Sequence, residues 1–328
     1  MDREKFNTIL RGYWESQILF AATSAGIFDF LNKKAYTVEK IAEGLRLDQR
    51  STEILLNALT GLELIKKHRG TYQNSPFARN HLVERSGEPL TGFVLHNMGL
   101  WNAWGNLTPV MKTGRPSEGF AVKNYRTNKR SLYNFALAMH QGSISSSKEI
   151  SLLFDYSSVC SILDVGGCTG RYALSIMESS SSDRVHVLDL PEMVREAKKI
   201  IRKTNREELK KIRFIEGDFF KVDPGMEFDL VILSNIIHSL GEKDCLMLFS
   251  RLRSWLTKNG RLLVHDMTVD RSGTNPAHAA LFSVNMLVNT LKGKVYSEEE
   301  TLKMIRAAGM KRIDKKRTEA GNLVALCS

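Results

Sequence analysis

Residues 161–170 read SILDVGGCTG, and this stretch decides how the second half of the chain is expected to fold. An apolar run ends in Asp164, and Gly166, Gly167 and Gly170 follow at once. Glycines let the backbone turn sharply and approach a ligand with no Cβ in the way. A strand that is followed by such a loop and then by a helix predicts a ligand site at the loop.

The chain after this stretch alternates between apolar, β-branched runs and amphipathic helical segments. The predicted strands are VCSILDV, RVHVLDL, KIRFIEGD, FDLVILSNII and GRLLVHDMTV, with MKRIDKKRT and NLVALCS as a closing hairpin. Such alternation is typical of a parallel sheet covered by helices on both faces. The sequence therefore predicts an α/β fold with a Rossmann-like doubly wound sheet, mostly parallel, that ends in an antiparallel hairpin.

The first 90 residues have a mainly helical pattern with one small hairpin. The segments are TVEKIAEGL, STEILLNALTGLELI and KKHRGTYQNS, the last with a turn at Gly70. Helix, turn, helix and hairpin is the order of a winged helix-turn-helix. DNA binding is one function of that unit, but the second helix carries few of the side chains that read base edges. We favour a packing or dimerisation module.

Residues 91–150 keep a helical pattern and predict a connector between the two parts. LWNAWGNLTPVMKTG ends at a glycine, and NFALAMHQGSISSS is a second amphipathic stretch. The serines at the end of that stretch predict a turn.

Composition indicates a cytoplasmic globular protein. Charged residues make up 25% of the chain and the formal net charge is +11. That charge is compatible with nucleic acid, an anionic membrane surface or acidic small molecules, but we favour solubility alone. The four cysteines form no CxxC pair, so free thiols in a reducing compartment are expected, and no metal site. The sequence predicts no signal peptide and no membrane span.

Two further acids follow predicted strands and extend the site. Asp189 comes 23 residues after Gly166, a spacing at which an acid can bind both hydroxyls of a ribose. Asp218 is followed by Phe219 and Phe220. A carboxylate can accept a hydrogen bond from an adenine amino group, and a neighbouring ring can stack on the base. Acids after three strands, with one glycine loop, fit a cationic adenosine compound such as S-adenosylmethionine better than a dinucleotide.

The same segments resemble a known family. DVGGCTG, LDLPEMV, IEGDFF, ILSNIIHSL and GRLLVHDMTV resemble the motif series of class I S-adenosylmethionine-dependent methyltransferases, and more narrowly the plant caffeate and bacterial antibiotic O-methyltransferases. The resemblance covers essentially the whole chain. It implies a winged-helix dimerisation domain over 1–90, a helical connector over 91–150 that contributes to the substrate pocket, and a cofactor-binding methyltransferase domain over 151–328. It also implies a homodimer, without nucleic acid or membrane partners.

The resemblance also implies a role for individual residues. The catalytic residues would be His238 as general base and Asp266 as the acid that orients it. The cofactor, which leaves as S-adenosylhomocysteine, would be bound by Asp164, Gly166, Gly167, Gly170, Asp189, Leu190, Asp218, Phe219 and Ser234. The aromatic hydroxyl acceptor would contact Trp101, Phe135, Met139, Asn285 and Met286. His265 is a competing candidate beside Asp266.

A histidine base suits the expected chemistry. A phenol with a pKa near ~10 is a poor nucleophile while it is protonated, and a histidine with a pKa of ~6.5 can take its proton near neutral pH. A carboxylate such as Asp266 can hold the ring tautomer and stabilise the imidazolium.

Four positions depart from the family pattern, and one of them is Ser239, which follows the histidine where the family usually has an aspartate. Cys168 replaces the middle glycine of the loop, and it adds a Cβ where either a positive φ or a close approach of the backbone is expected. Ser234 stands where plant members carry a lysine. Val295 stands where plant members carry a second orienting glutamate, so a second acidic partner of His238 is in doubt. Two alternatives stay open: an enzyme of the same fold that methylates carbon or performs another reaction, and a winged-helix DNA-binding regulator that senses S-adenosylmethionine.

Overall fold

The structure is a computed structural model that describes residues 1–116 and 128–328, without the side chain of Arg206. The described chain divides into two compact units, Met1–Leu100 and Trp101–Ser328. The predicted connector over 91–150 includes residues 117–127, which lie outside the described residues. No helix in the described ranges is both long enough and apolar enough to cross a membrane.

The first unit is mainly helical and contains a small sheet. Its helices are α1 (Arg3–Ser24), α2 (Ile27–Phe30), α3 (Val38–Leu45), α4 (Gln49–Gly61), α5 (Pro76–His81) and α6 (Thr91–Gly99). Its strands are β1 (Tyr36–Thr37), β2 (Ile65–His68) and β3 (Thr71–Asn74), paired in the order β1-β3-β2. The predicted hairpin is confirmed, because β2 and β3 pair antiparallel around Arg69 and Gly70, whose φ angles are 46° and 79°.

The first unit has one apolar core, to which α1 contributes only residues near its end such as Phe20. Ile27, Phe28, Leu56 and Leu59 are fully or almost fully buried in one apolar cluster. Helix α1 instead exposes a row of large apolar side chains. These are Phe6, Ile9, Leu10, Tyr13 and Trp14, each about half exposed or more. An apolar helix face of this kind indicates a contact surface rather than a solvated one.

The second unit contains a seven-stranded sheet. Its strands are β4 (Ile162–Val165), β5 (Val185–Asp189), β6 (Ile212–Glu216), β7 (Phe228–Ser234), β8 (Leu256–Asp266), β9 (Ile313–Arg317) and β10 (Leu323–Cys327). They lie in the order β6-β5-β4-β7-β8-β10-β9, in which the first five pair parallel and β10 pairs antiparallel with both neighbours. The predicted fold class is confirmed, including the closing hairpin.

Helices cover both faces of this sheet. They are α7 (Trp101–Gly105), α8 (Leu107–Thr113), α9 (Lys129–Ser151), α10 (Arg171–Met177), α11 (Pro191–Thr204), α12 (Arg206–Lys211), α13 (Glu242–Ser254), α14 (Ala277–Asn289) and α15 (Glu298–Ala307). Along β7, Val231 and Leu233 belong to one apolar cluster and Leu230 and Ile232 to another. Since successive strand side chains point to opposite faces, strands buried on both faces read as unbroken apolar runs.

The strand order creates the crevice in which ligands bind in such sheets. From β4 the chain moves outward to β5 and β6, and it then returns to place β7 on the other side of β4. The order therefore reverses between β4 and β7. Ligands of open α/β sheets bind at this reversal, beyond the carboxyl ends of the strands.

One local prediction was wrong. The serines that predicted a turn lie inside α9, which continues to Ser151. The hydroxyls of Ser143 and Ser147 bond backward to the carbonyls of His140 and Ile144, and Ser147 also accepts from Ser175 at 3.0 Å. Packing against α10 thus satisfies the hydroxyls that would otherwise favour a turn.

Candidate active site

The glycine loop that follows β4 closes directly over Asp164. A Cβ on Gly167 would lie 2.4 Å from Cγ of Asp164, far inside van der Waals contact. Gly166 and Gly170 have φ angles of 68° and 69°, which favour glycine. Cys168 has a φ of 50°, so the expected positive φ at this substituted position is confirmed.

Asp164 is a buried carboxyl group with no ion-pair partner among the residues that the structure describes. It is 1% exposed, and neither oxygen has a well-formed hydrogen bond to a described residue, although the amide of Ala173 offers weak stabilisation. Burial raises the pKa of Asp164 to about 7, and the charge of Asp189 adds to that effect. A buried, unpaired carboxylate is costly unless a ligand supplies a positive charge or hydrogen-bond donors. The ammonium of S-adenosylmethionine fits that requirement.

Asp189 joins the end of β5 to the glycine loop. One carboxylate oxygen accepts from the backbone N–H of Cys168 at 2.9 Å, and the other accepts from the N–H of Leu190 at 2.8 Å. Burial raises the pKa of Asp189 to about 6, and these two N–H groups oppose the rise. Each carboxylate oxygen keeps a second acceptor site, so Asp189 can still receive the two hydroxyls of a ribose.

Asp218 lies two residues beyond the end of β6, not at the strand end itself. Its carboxylate accepts from the N–H of Phe220 at 2.9 Å, which fixes the turn. The rings of Phe219 and Phe220 pack edge to face with their centroids 4.8 Å apart. The turn therefore places an acceptor next to an aromatic pair, as binding of an adenine requires.

Ser234 belongs to a polar network that the sequence did not reveal. Its hydroxyl lies 2.8 Å from Nδ1 of His265 and receives a hydrogen bond from Nδ2 of Asn235 at 3.2 Å. Asn235 also donates to the hydroxyl of Tyr172 at 3.3 Å. The feature of the sequence that could have indicated this network is Asn235. Asparagine tolerates the left-handed backbone conformation that Asn235 adopts here, with a φ of 56°.

His265 is thereby separated from the predicted catalytic pair. It is 2% exposed, and burial lowers its pKa to about 4, so it stays neutral at physiological pH. It precedes Asp266 on β8, and adjacent strand residues point to opposite faces of a sheet. The competing role of His265 beside Asp266 is therefore not supported by the geometry.

The structure brings His238 and Asp266 together. His238 lies on a 3₁₀ turn, Ile237–Ser239, rather than at the end of β7 itself. Its Nδ1 is 2.6 Å from Oδ1 of Asp266, which also accepts from the N–H of Met267 at 2.8 Å. Since a carboxylate oxygen accepts, Nδ1 carries the proton and Nε2 keeps a lone pair. Such an Nε2 atom can act as a base.

An apolar cluster flanks the other side of this histidine. The ring of Phe282 packs edge-on against the imidazole with centroids 5.1 Å apart. Phe282 packs with Val269, Ala279 and Val295, and Val295 is 3% exposed. Within the described ranges, Asp266 is the one acidic hydrogen-bond partner of His238.

The predicted acceptor residues fall into two groups. Asn285 and buried Met286 lie on α14, which packs against α7, α8 and the turn that carries His238. Nε1 of Trp104 on α7 donates to Oδ1 of Asn285 at 3.1 Å, whereas Trp101 is 41% exposed.

The second group lies on α9, beside the glycine loop. Phe135 packs against a cluster that contains Cys168 and Met193, with Leu190 at its edge. Met139 follows one turn later and is half-buried. Phe135 is therefore placed beside the elements proposed to hold the cofactor.

Comparison with known proteins identifies similar chains over nearly the whole length. Residues 104–311 match the O-methyltransferase domain family, and residues 7–84 match the O-methyltransferase dimerisation domain. Human acetylserotonin O-methyltransferase is 29% identical over 96% of this chain and 94% of its own. The tetracenomycin polyketide synthesis 8-O-methyl transferase TcmO of Streptomyces glaucescens is 28% identical over 90% and 88%.

A solved structure gives the same result for the fold. The crystal structure of human N-acetylserotonin methyltransferase in complex with S-adenosylmethionine has a TM-score of 0.90 to this chain, with 27% identity. The similarity covers 100% of this chain and 98% of that one. The match therefore includes both compact units of the chain.

Proposed function

This chain belongs to the S-adenosylmethionine-dependent O-methyltransferases, and we propose that it methylates a hydroxyl of a small aromatic acceptor with His238 as the general base. The 2.6 Å contact between Nδ1 of His238 and Oδ1 of Asp266 carries the proposal. It fixes the tautomer in which Nε2 can receive a proton. Both relatives reported above are named for O-methylation, which supports a hydroxyl acceptor.

The residues around the glycine loop are proposed to hold the cofactor. Asp164 would neutralise the ammonium, Asp189 would bind the ribose hydroxyls, and Asp218 with Phe219 would bind the adenine. Gly166, Gly167, Gly170, Leu190 and Ser234 would complete the site. When bound, S-adenosylmethionine would supply a methyl carbon activated by a positively charged sulfur; that carbon would pass to the acceptor oxygen in line as its bond to sulfur breaks, and S-adenosylhomocysteine would leave.

Residues of this chain remove the proton from the acceptor hydroxyl. Nε2 of His238 takes the proton of the acceptor hydroxyl and makes the oxygen nucleophilic. Asp266 holds the ring through Nδ1 and stabilises the imidazolium that results. Phe282 covers one side of the ring and keeps water away from it. A general base of this kind contributes roughly 10²–10⁴-fold to the rate.

Replacement of His238 tests the mechanism. His238→Ala should lower kcat for a phenolic acceptor by roughly 10²–10⁴-fold while binding of S-adenosylhomocysteine, measured by calorimetry, is retained. Full turnover in His238→Ala would instead favour the alternative in which an enzyme of this fold methylates carbon or performs another reaction.

We also propose that the first unit forms the homodimer. The match to a dimerisation domain and the exposed apolar face of α1 support this. Ile9→Lys combined with Leu10→Glu should lower the mass measured by light scattering from that of a dimer to that of a monomer. A mass that does not change would argue that α1 lies outside the interface. A duplex DNA mobility shift tests the DNA-binding alternative, and we expect none.

A further inference from the structure

Tyr296 is a buried residue that bonds to the turn carrying His238. It is 3% exposed, and its ring belongs to the apolar cluster that also contains Ile237 of that turn. Its hydroxyl donates to the carbonyl of Leu240 at 2.8 Å, and Leu240 follows the 3₁₀ turn two residues after His238. Burial raises the pKa of Tyr296, so the hydroxyl keeps the proton that it donates. The side chain of Tyr296 therefore holds the end of this turn.

The backbone of the same residue bonds to the segment after Asp266. The carbonyl of Tyr296 accepts from the N–H of Val269 at 3.2 Å, and Val269 also forms a parallel β-bridge with Ser297. Val269 lies three residues beyond Asp266. Tyr296 thus bonds to the chain shortly after each member of the pair of His238 and Asp266, through its side chain on one side and its backbone on the other.

The segment around Tyr296 lies directly against the turn. A Cβ on Gly293 would lie 2.4 Å from the carbonyl oxygen of His238, so the two stretches of backbone touch. Nζ of Lys294 lies 4.9 Å from the centroid of the Tyr296 ring and 2.7 Å from a carboxylate oxygen of Glu300. The lysine therefore covers the ring and restrains the hydroxyl that bonds to the turn.

We propose that Tyr296 is a positioning residue, which keeps the turn of His238 at the distance from Asp266 that the contact between Nδ1 and Oδ1 requires. That contact is 2.6 Å long. The neighbouring Val295 is apolar and supplies no second carboxylate to the imidazole, whereas Tyr296 acts on the backbone that carries it. This inference rests on the proposed function, because the pair that Tyr296 positions is the proposed catalytic pair. A catalytic group that is misplaced by ~1 Å loses roughly 10²-fold in rate.

Proton NMR tests this geometry without an acceptor. Protein with isotope-labelled histidine should show a low-field signal from the Nδ1–H of His238, assigned by its absence in His238→Ala. Tyr296→Phe removes only the hydroxyl, and this signal should move upfield or broaden. The matched control is Tyr156→Phe, because Tyr156 is 1% exposed and also donates to a backbone carbonyl, that of Ile150 at 3.3 Å. Tyr156 lies before β4, away from the turn, and its variant should keep the native signal.

Kinetics with S-adenosylmethionine and catechol as the acceptor test the consequence for the rate. Tyr296→Phe should lower kcat by roughly 10–10²-fold, with the KM for S-adenosylmethionine within about twofold of native. Tyr156→Phe should keep the native kcat. Each variant loses one bond from a hydroxyl to a carbonyl, so both should melt roughly 2–5 °C lower than the native protein, and stability alone does not explain a difference in kcat.

A double variant shows whether Tyr296 acts through the imidazole. Tyr296→Phe added to His238→Ala should leave the residual rate of His238→Ala unchanged within about twofold, because no base remains to be positioned. A further loss as large as that in the native background would show a general structural effect and overturn the proposal. Equal losses of kcat in Tyr296→Phe and Tyr156→Phe would overturn it in the same way.

The outcomes separate this inference from the proposed function. A native Nδ1–H signal in Tyr296→Phe, or no such signal in the native protein, would overturn the role of Tyr296. Loss of activity in His238→Ala would then still support the proposed function. Full turnover in His238→Ala, with the Nδ1–H signal lost in Tyr296→Phe, would defeat the proposed function and leave Tyr296 as the residue that positions the pair. If the native protein does not methylate catechol, the NMR result alone decides.

Discussion

Nδ1 of His238 lies 2.6 Å from Oδ1 of Asp266, although His238 belongs to the turn after β7 and Asp266 to the end of β8. Because Asp266 holds the ring tautomer, Asp266→Asn should lower kcat by roughly 10²–10⁴-fold. The variant keeps the size of the side chain but offers an amide to Nδ1. Initial rates over a range of pH should show this loss at every pH that the fold tolerates, with little change in the KM for S-adenosylmethionine. Asp314→Asn, on the exposed edge strand β9, is the matched control.

Asp189 carries the strongest prediction for the cofactor. Asp189→Ala removes the acceptor for the N–H of Cys168 and the proposed acceptor for the ribose hydroxyls. Hydrogen bonds to charged groups contribute about 1.5–3 kcal/mol each, so the dissociation constant for S-adenosylhomocysteine should rise by at least about tenfold. Isothermal titration calorimetry measures it, with the exposed loop variant Asp183→Asn as control. Unchanged affinity in Asp189→Ala would remove the basis for this cofactor site.

Asp164 should destabilise the ligand-free protein as the pH rises. Its pKa is about 7 in the folded protein, against ~3.9 for an unperturbed aspartate, so the folded state binds more protons between these values. Stability is therefore greatest at the acid end of this range and falls as the pH rises through about 7. Asp164→Asn cannot ionise and should melt roughly 2–5 °C higher than the native protein at pH 8.

This difference in melting temperature should shrink as the pH is lowered and become small at pH ~4, where Asp164 is protonated in the folded protein and about half protonated in the unfolded chain, and differential scanning fluorimetry at pH 8 and at pH ~4 checks this. The more stable variant should nonetheless bind S-adenosylhomocysteine more weakly, because the amide does not neutralise the ammonium. Equal melting temperatures at pH 8 would show that the native carboxylate finds solvent or a counter-ion in the folded protein.

Gly167 tests the close approach of the loop to Asp164. Gly167→Ala places a Cβ 2.4 Å from Cγ of Asp164, and the resulting shift should cost at least about 2 kcal/mol of unfolding free energy. Gly142→Ala is the matched control: it lies in α9 with nothing within 4 Å of the new Cβ. Alanine there should stabilise the protein by roughly 0.5–1 kcal/mol. Urea denaturation of both variants should give opposite signs, and a stable Gly167→Ala protein would contradict the loop geometry.

The sheet could be predicted because its signals are local. Strands such as β4 are buried on both faces and read as apolar runs, and each is followed by loop residues with distinctive chemistry. The capping box of Ser297 and Glu300 at the start of α15 is local in the same way, because both partners of that motif lie within four residues of sequence. Structural features that depend only on residues close in sequence can therefore be predicted before the fold is known.

The features that the sequence could not predict depend on tertiary contacts. A run of serines near Ser147 predicts a turn, but packing of α9 on α10 supplies partners for the hydroxyls and the helix continues. The network around Tyr172 joins residues from α9, α10 and the end of β7, so no spacing reveals it. Similarly, Trp104 and Asn285 are 181 residues apart, and only the fold shows that one orients the other.

His265 and Asp266 are adjacent on β8, yet one is bonded to Ser234 and the other to His238. Successive residues of a strand point to opposite faces of the sheet. The register of the pairing between β7 and β8 therefore decides which of the two residues lies beside His238. Insertion of a single residue between Arg261 and Val264 would move His265 into the place of Asp266 and offer the base an imidazole in place of its carboxylate, whereas a deletion of one residue would move Met267 there. Homologous chains that keep this chemistry should therefore keep the number of residues between Arg261 and Asp266.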